Sequence, residues 1–397
     1  MSELDRRQAL RLLAGIGAAG AVAPVLSACG SSSANKATQD RGSIKIGLLV
    51  PQSGGYKVIG DDLTNGFQLY LKQNDGRLGG RRVDLVFADE GEDPKSGQSA
   101  AEKLLKRDRV SAISGVASSS VMLAIKDAVE AAQVPLIGSN ASPANMVGVK
   151  YIWRTSFVNT EPGLAIGKYV ANRIGTGSVY LIAADYEAGY DEISGFKSAY
   201  GDGRVEGEIY TPFTPPTTDF GPYLRQIKAS AAKAVFCFYA GTSAVEFVKQ
   251  YKEIGLSPDV TLYAGGFLTE GVLLKQQGDA AKGIFTSMNY SPDLDNPTNR
   301  RFAADYQKQY NLVPTTYAMA SYDAAAVLDK AIALTQGELT PQALNASIGR
   351  VGAIDSPRGT WQFNQNRTPL QKWYLRQVRI DGTVLANGVI SELATLG

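Results

Sequence analysis

The chain has 397 residues, 44% hydrophobic and 20% charged, with 40 Lys and Arg against 38 Asp and Glu. That is globular composition of two or three domain-sized units, and a net charge of +2 gives no electrostatic case for nucleic acid as a partner. Histidine is absent, which removes the commonest general base, the commonest zinc ligand and every Ser-His or Cys-His nucleophile. Asp/Glu chemistry remains possible, but no paired-carboxylate motif stands out, and no catalytic residue, metal or cofactor is expected.

Residues 1–28 read as a removed export signal. Arg6, Arg7 and Arg11 supply the basic start, Leu12 to Leu26 an apolar run, and small residues precede Cys29. The run is too short, and too rich in Ala and Gly, for a permanent span. Leu26-Ser27-Ala28-Cys29 resembles the bacterial lipobox. That resemblance implies cleavage before Cys29, a diacylglycerol on its thiol and attachment to the extracytoplasmic face of the membrane. Residues 29–43 then form a Ser/Gly-rich tether. Asp5–Arg11 resembles a twin-arginine motif, with Asp5 for the usual Ser or Thr and Ala9 for the usual aromatic, so the export route stays open. Gly15-Ile16-Gly17-Ala18-Ala19-Gly20 matches the dinucleotide pattern GxGxxG, but no strand precedes it and it lies in the removed segment.

From residue 44 apolar strands alternate with amphipathic helices. Strands are expected at Lys45–Val50, Val83–Ala88, Ala112–Ser114 and Val134–Gly138, and helices at Pro94–Lys106 and Ser119–Ala132. The rhythm restarts after Trp153. Helices are expected at Glu161–Arg173, Gly189–Ala199, Phe220–Ala229 and Ser243–Ile254. Strands are expected at Val179–Ala183, Val205–Tyr210, Ala234–Tyr239 and Val260–Ala264. Cys237 lies in one of these apolar runs. With Cys29 lipidated it has no disulfide partner and reads as a core residue. Long helices at Pro297–Tyr310 and Ala318–Thr335 precede extended segments at Thr360–Phe363 and Trp373–Ile380, the latter ended by an Asp381-Gly382 turn. Two doubly wound α/β lobes follow from this pattern, joined by a multi-strand hinge, with ligand at the carboxyl ends of the strands. The lobes are expected at 44–157 with 289–370, and at 158–288 with 371–397.

Ile46–Gly54, Asn74–Arg82, Gly115–Ser120, Val134–Ile137, Asp185–Gly189 and the strand ending at Gly241 occur in this order. Together they resemble the type I periplasmic binding proteins of the branched-chain amino acid transporter group, from residue 44 to the C-terminus. The resemblance implies a solute receptor that closes around a small molecule and delivers it to an ABC permease and ATPase. The same fold also serves sensory lipoproteins, and sequence does not separate the two. A secreted hydrolase would need a GxSxG elbow, a histidine or a metal cluster, and none is present.

The residues themselves point to the same site. Ser118 and Ser119 open a helix after a strand, where free N–H groups and the dipole favour a carboxylate; serines there can also simply cap the helix. Asn140, Ala141 and Ser142 follow the next strand, before a possible helical turn. The resemblance gives both loops the ligand carboxylate, carried by Ser119, Ala141 and Ser142. It places Ile59, Tyr186, Thr242 and Tyr317 against the ligand. Amino-acid binders of the family also place an acidic residue after the Val260–Ala264 strand, to meet the ligand ammonium. Gly266-Phe267 stands there and Glu270 comes three residues late. Phe267 offers a ring instead. Asn289–Pro297 and Ser356–Gly359 resemble the branch that binds aromatic carboxylates, so an aromatic acid is expected. A branched-chain amino acid, an amide or urea is the alternative.

Overall fold

The computed structural model describes residues 42–146, 148–201 and 203–397. The expected signal peptide, Cys29 and most of the tether lie outside them.

Among the described residues, thirteen strands and eleven α-helices follow one another. They begin with β1 (Ser43–Val50), α1 (Lys57–Gln73), β2 (Arg77–Leu78), β3 (Arg81–Asp89), α2 (Pro94–Glu102), β4 (Ala112–Gly115), α3 (Ser119–Ala132), β5 (Leu136–Gly138) and β6 (Ile152–Arg154). Next come α4 (Glu161–Ile174), β7 (Ser178–Ala184), α5 (Glu187–Tyr200), β8 (Arg204–Thr211), α6 (Gly221–Ala229), β9 (Ala234–Phe238), α7 (Gly241–Glu253), β10 (Thr261–Gly265), α8 (Val272–Gln277) and β11 (Phe285–Met288). The chain ends with α9 (Pro297–Tyr310), α10 (Thr316–Leu334), α11 (Pro341–Ile348), β12 (Gln371–Asp381) and β13 (Val384–Leu396).

Two sheets form, in the orders β2-β3-β1-β4-β5-β6 and β13-β12-β11-β10-β9-β7-β8. Pairing is parallel except at β2–β3, β11–β12 and β12–β13. Helices cover both sheets, so the inner strands are buried on both faces. β7 and β9 are accordingly buried along their whole length, Cys237 included. The first sheet with its helices is lobe one, the second lobe two.

In each sheet the winding reverses once. After β1 the chain builds outward to β3, then returns to place β4 on the other side of β1. After β7 it goes to β8 and returns to place β9. Loops diverge at such reversals and leave a crevice at the carboxyl ends of the strands. Gly115 makes the first crevice possible. Its φ is +117°, and a Cβ there would meet the Leu49 carbonyl oxygen at 2.2 Å.

The chain passes between the sheets three times, after β6, after β11 and before β12. Arg358 and Asn289 tie these passages together. The Arg358 guanidinium donates to Asp323, to the carbonyls of Thr155 and Ser156, and to Gln371. Asn289 donates to the same Ser156 carbonyl and to Gln371.

Two expected elements differ. The helical turn after Asn140 does not form, because Asn140–Met146 runs as a bend held by hydrogen bonds to the neighbouring loop. Thr360–Phe363 is not a strand. It makes isolated pairings, Trp361 with Ile354 and Phe363 with Pro369, at the edge of lobe one.

Candidate functional site

The two crevices face each other and form one cavity. Lobe one contributes Tyr56, Ile59, Ala117, Ser119, Asn140 and Tyr317. Lobe two contributes Tyr186, Ala188, Glu192, Phe238, Ala240 and Phe267. Phe157 and Asn159 come from the first passage between the lobes.

Ser119 opens α3 as the loop after β4 turns back. The Ser118 carbonyl accepts the first in-helix bond, from the Met122 N–H, so the N–H groups of Ser119, Ser120 and Val121 have no intrahelical acceptor. Asn159 donates to Ser119 Oγ at 3.0 Å. The Ser119 hydroxyl keeps its own proton to donate. A helix N-terminus, a hydroxyl donor and the positive end of a dipole converge there, which is anion-binding chemistry.

Six aromatic side chains wall the cavity. Phe267 packs between Phe157 (ring centroids 5.2 Å apart), Phe238 (5.8 Å) and Tyr317 (6.1 Å). Tyr186 stacks on Phe213 behind it at 4.0 Å. The Tyr56 and Tyr186 hydroxyls meet across the lobes at 2.9 Å. Burial holds both phenols well above their ordinary range, so both stay protonated.

The lobes are drawn together. Asn159 donates to Ser119 of lobe one and to Asp191 of lobe two, each at 3.0 Å. The Ala144 N–H donates to the same Asp191 carboxylate at 2.9 Å. The Thr242 N–H donates to the Gly55 carbonyl at 3.2 Å.

Six of the ten residues expected at the site line this cavity: Ile59, Ser119, Asn140, Tyr186, Phe267 and Tyr317. Four do not. The Ser118 N–H, with that of Ala117, is taken at 2.7 Å by the buried carboxyl of Glu90, whose pKa burial raises to about 8 against the lowering by these two bonds. The Ala141 N–H, expected to hold a carboxylate, is spent on the Val116 carbonyl at 2.9 Å. Ser142 is buried beside the wall rather than in it, and its carbonyl accepts from the Asn159 N–H. Thr242 is exposed at the rim, where it seals one lobe against the other.

One correction concerns charge. No carboxylate is expected in the cleft from the sequence, yet Glu192 stands in its wall, 1% exposed. The signal was there. Ala188, Glu192, Phe196 and Tyr200 recur every four residues on the buried face of α5, with one acid among apolar groups. Glu270 is indeed elsewhere. It is buried against Arg376 at 2.8 Å and accepts from the Thr316 N–H at 3.0 Å. Tyr56, Ala117, Phe157, Asn159, Ala188, Phe238 and Ala240 also line the cavity without being read from the sequence.

The periplasmic binding protein family matches residues 43–383, and the chain belongs to it. This is a family of extracytoplasmic solute-binding proteins of ABC transporters, not of enzymes, and its members work with a permease and an ATPase. A relative from Brucella melitensis biotype 1, Leu/Ile/Val-binding protein homolog 6, is 29% identical over 84% of this chain and 87% of its own. A solved ABC solute-binding protein of R. palustris in complex with benzoate superposes with a TM-score of 0.82 at 29% identity, covering 89% of this chain and 97% of that one. Another, from Rhodopseudomonas palustris BisB5 in complex with 3,4-dihydroxybenzoic acid, gives 0.84 at 28%, covering 89% and 98%.

Proposed function

We propose that this solute-binding protein closes on a small aromatic carboxylate and is held at the membrane by a lipidated Cys29. The observation that carries the ligand class is the cavity wall: six aromatic rings facing the N-terminus of α3, with no Lys or Arg among the lining residues. The ring of the ligand packs on Phe267, Phe238, Phe157 and Tyr317. Its carboxylate sits at the first turn of α3, on the free N–H groups and the Ser119 hydroxyl. Solved relatives of 28–29% identity carry benzoate and 3,4-dihydroxybenzoic acid, which supports the same class. The passages tied by Arg358 and Asn289 act as the hinge between lobes at 44–157 with 289–370 and 158–288 with 371–397.

A thermal-shift panel of benzoates, hydroxycinnamates, aliphatic amino acids and short amides tests the class. A ligand at a hundred times its Kd stabilises the fold by about 2.7 kcal/mol, a readable shift. Aromatic acids are expected to raise the Tm and leucine to be silent. One observation favours a second reading. Glu192 is a carboxyl that a ligand ammonium could meet, and the Brucella relative is named for Leu, Ile and Val. A strong shift with leucine, isoleucine or valine and none with any aromatic acid establishes that reading instead.

Among the described residues no helix is long and apolar enough to cross a membrane. Attachment through Cys29 predicts that Cys29→Ser leaves the membrane fraction or accumulates as an uncleaved precursor. A mature, membrane-bound Cys29→Ser protein contradicts the anchor.

A further inference from the structure

Glu192 is not explained by a carboxylate and a ring alone. Both of its oxygens are buried and neither has a hydrogen-bond partner. They lie over the end of β10, where a Cβ on Gly265 would stand 3.1 and 3.2 Å from them. The absence of a side chain at Gly265 thus leaves the space that the carboxyl fills. Two more polar atoms in the same wall are buried and partnerless, Tyr317 Oη and Asn140 Oδ1.

The groups around Glu192 are all neutral or acidic. Asp191 and Tyr186 face it from α5 and its N-terminal cap, Cys237 from β9, and Gly265 and Phe267 from the end of β10. From α4 only the Gly163 backbone N–H approaches it, a contact that favours the charged form but is outweighed by burial and that lies outside hydrogen-bond geometry. An ionised carboxylate buried without a cation costs several kcal/mol, and the group neutralises instead. Burial first, and Asp191 second, raise its pKa well above the ordinary carboxylate range. A ligand carboxylate in the same cleft pushes in the same direction.

A neutral carboxyl has one O–H to donate and a carbonyl oxygen to accept. A hydroxyl both accepts and donates, so one ring hydroxyl satisfies both oxygens without bringing charge. We infer that Glu192 is a specificity-determining residue that reads a hydroxyl on the ring of the ligand, so that hydroxylated aromatic acids are preferred to benzoate. This rests on the aromatic-carboxylate reading above.

The test is calorimetric titration of benzoate, 3-hydroxybenzoate, 4-hydroxybenzoate, 3,4-dihydroxybenzoate and leucine into wild type, Glu192→Gln and Glu192→Leu. Wild type is expected to bind at least one hydroxylated acid ~10-fold or more tighter than benzoate, because benzoate leaves the carboxyl unpaired. Glu192→Gln, which also donates and accepts without charge, keeps that preference within ~5-fold. Glu192→Leu removes the preference, so that the hydroxylated acids and benzoate bind within ~3-fold of one another. If Glu192→Leu does not fold, the wild-type ratio and the Gln variant decide. Benzoate bound as tightly as every hydroxylated acid overturns the inference and leaves the aromatic reading standing. Leucine binding that Glu192→Gln abolishes, with no aromatic acid bound, overturns both and makes Glu192 the ionised partner of an ammonium.

Discussion

Ser119 and Ser142 are alike in sequence context and unlike in the structure. Both follow a strand, but only Ser119 opens a helix and reaches the cavity. A lost hydrogen bond to a charged group costs about 1.5–3 kcal/mol, so Ser119→Ala is expected to weaken binding of an aromatic carboxylate by roughly 10-fold to 100-fold. Ser142→Ala is expected to change it by less than ~3-fold, since its hydroxyl lies outside the wall. Calorimetric affinities of the two variants check the contrast. Which serine reaches the cavity is not legible locally, because both segments read as polar loops leading from a strand into a helical turn. What distinguishes them is the bend after Asn140, which forms through bonds to the loop after β4. Glu90 was illegible for a similar reason, since its partners Ala117 and Ser118 are nearly thirty residues away.

Buried acids also set the response to pH. Asp62 and Glu161 are raised to about 7 and Glu90 to about 8, in each case by burial before any other cause. Each is protonated more readily folded than unfolded. Their contribution is therefore complete below about pH 4 and is lost as pH rises through 7 to 8. Thermal melts are expected to fall between pH 5.5 and pH 8. Asp62→Asn is expected to flatten that fall, and an unchanged slope in this variant contradicts the role of Asp62.

At the scale of elements, long periodic segments are legible and short ones are not. α3 and α9 occupy the expected residues, because each has a strong apolar face and a clear opening, Ser118-Ser119 in one and Asn296-Pro297 in the other. β6 and β11 have three and four residues, too few for a period, and are defined by pairing with β5 and β10. The return of β12 and β13 to lobe two follows from pairing with β11, a long-range contact that no local pattern encodes. The Arg358–Asp323 pair belongs to this scale because it fastens α10 to the first and third passages. Its atoms are 2.7 Å apart and buried. Breaking such a pair on one side leaves a buried charge, at about 3–5 kcal/mol. Arg358→Ala is expected to lower urea-unfolding stability by that amount. A loss under ~1 kcal/mol contradicts the fastening role.

For the whole molecule, the two lobes touch through the aromatic pairs Tyr56–Phe213 and Phe267–Tyr317 and through a set of hydrogen bonds: Tyr56 with Tyr186, Asn159 between Ser119 and Asp191, Ala144 with Asp191, Thr316 with Glu270, and Thr242 with Gly55. Such a set is worth little net free energy against water, since each bond exchanges for one to solvent. A bound ring adds apolar burial against Phe267 and Tyr317, from opposite lobes, and that burial favours the closed arrangement over the open one. Tyr56→Phe removes one cross-lobe bond and is expected to weaken ligand binding by ~2-fold to 10-fold, read by calorimetry.

Small-angle scattering of ligand-stripped protein, with and without 4-hydroxybenzoate, tests closure on an aromatic acid most directly. The radius of gyration is expected to contract on saturation with 4-hydroxybenzoate and to stay unchanged with leucine. Contraction with leucine alone contradicts the account.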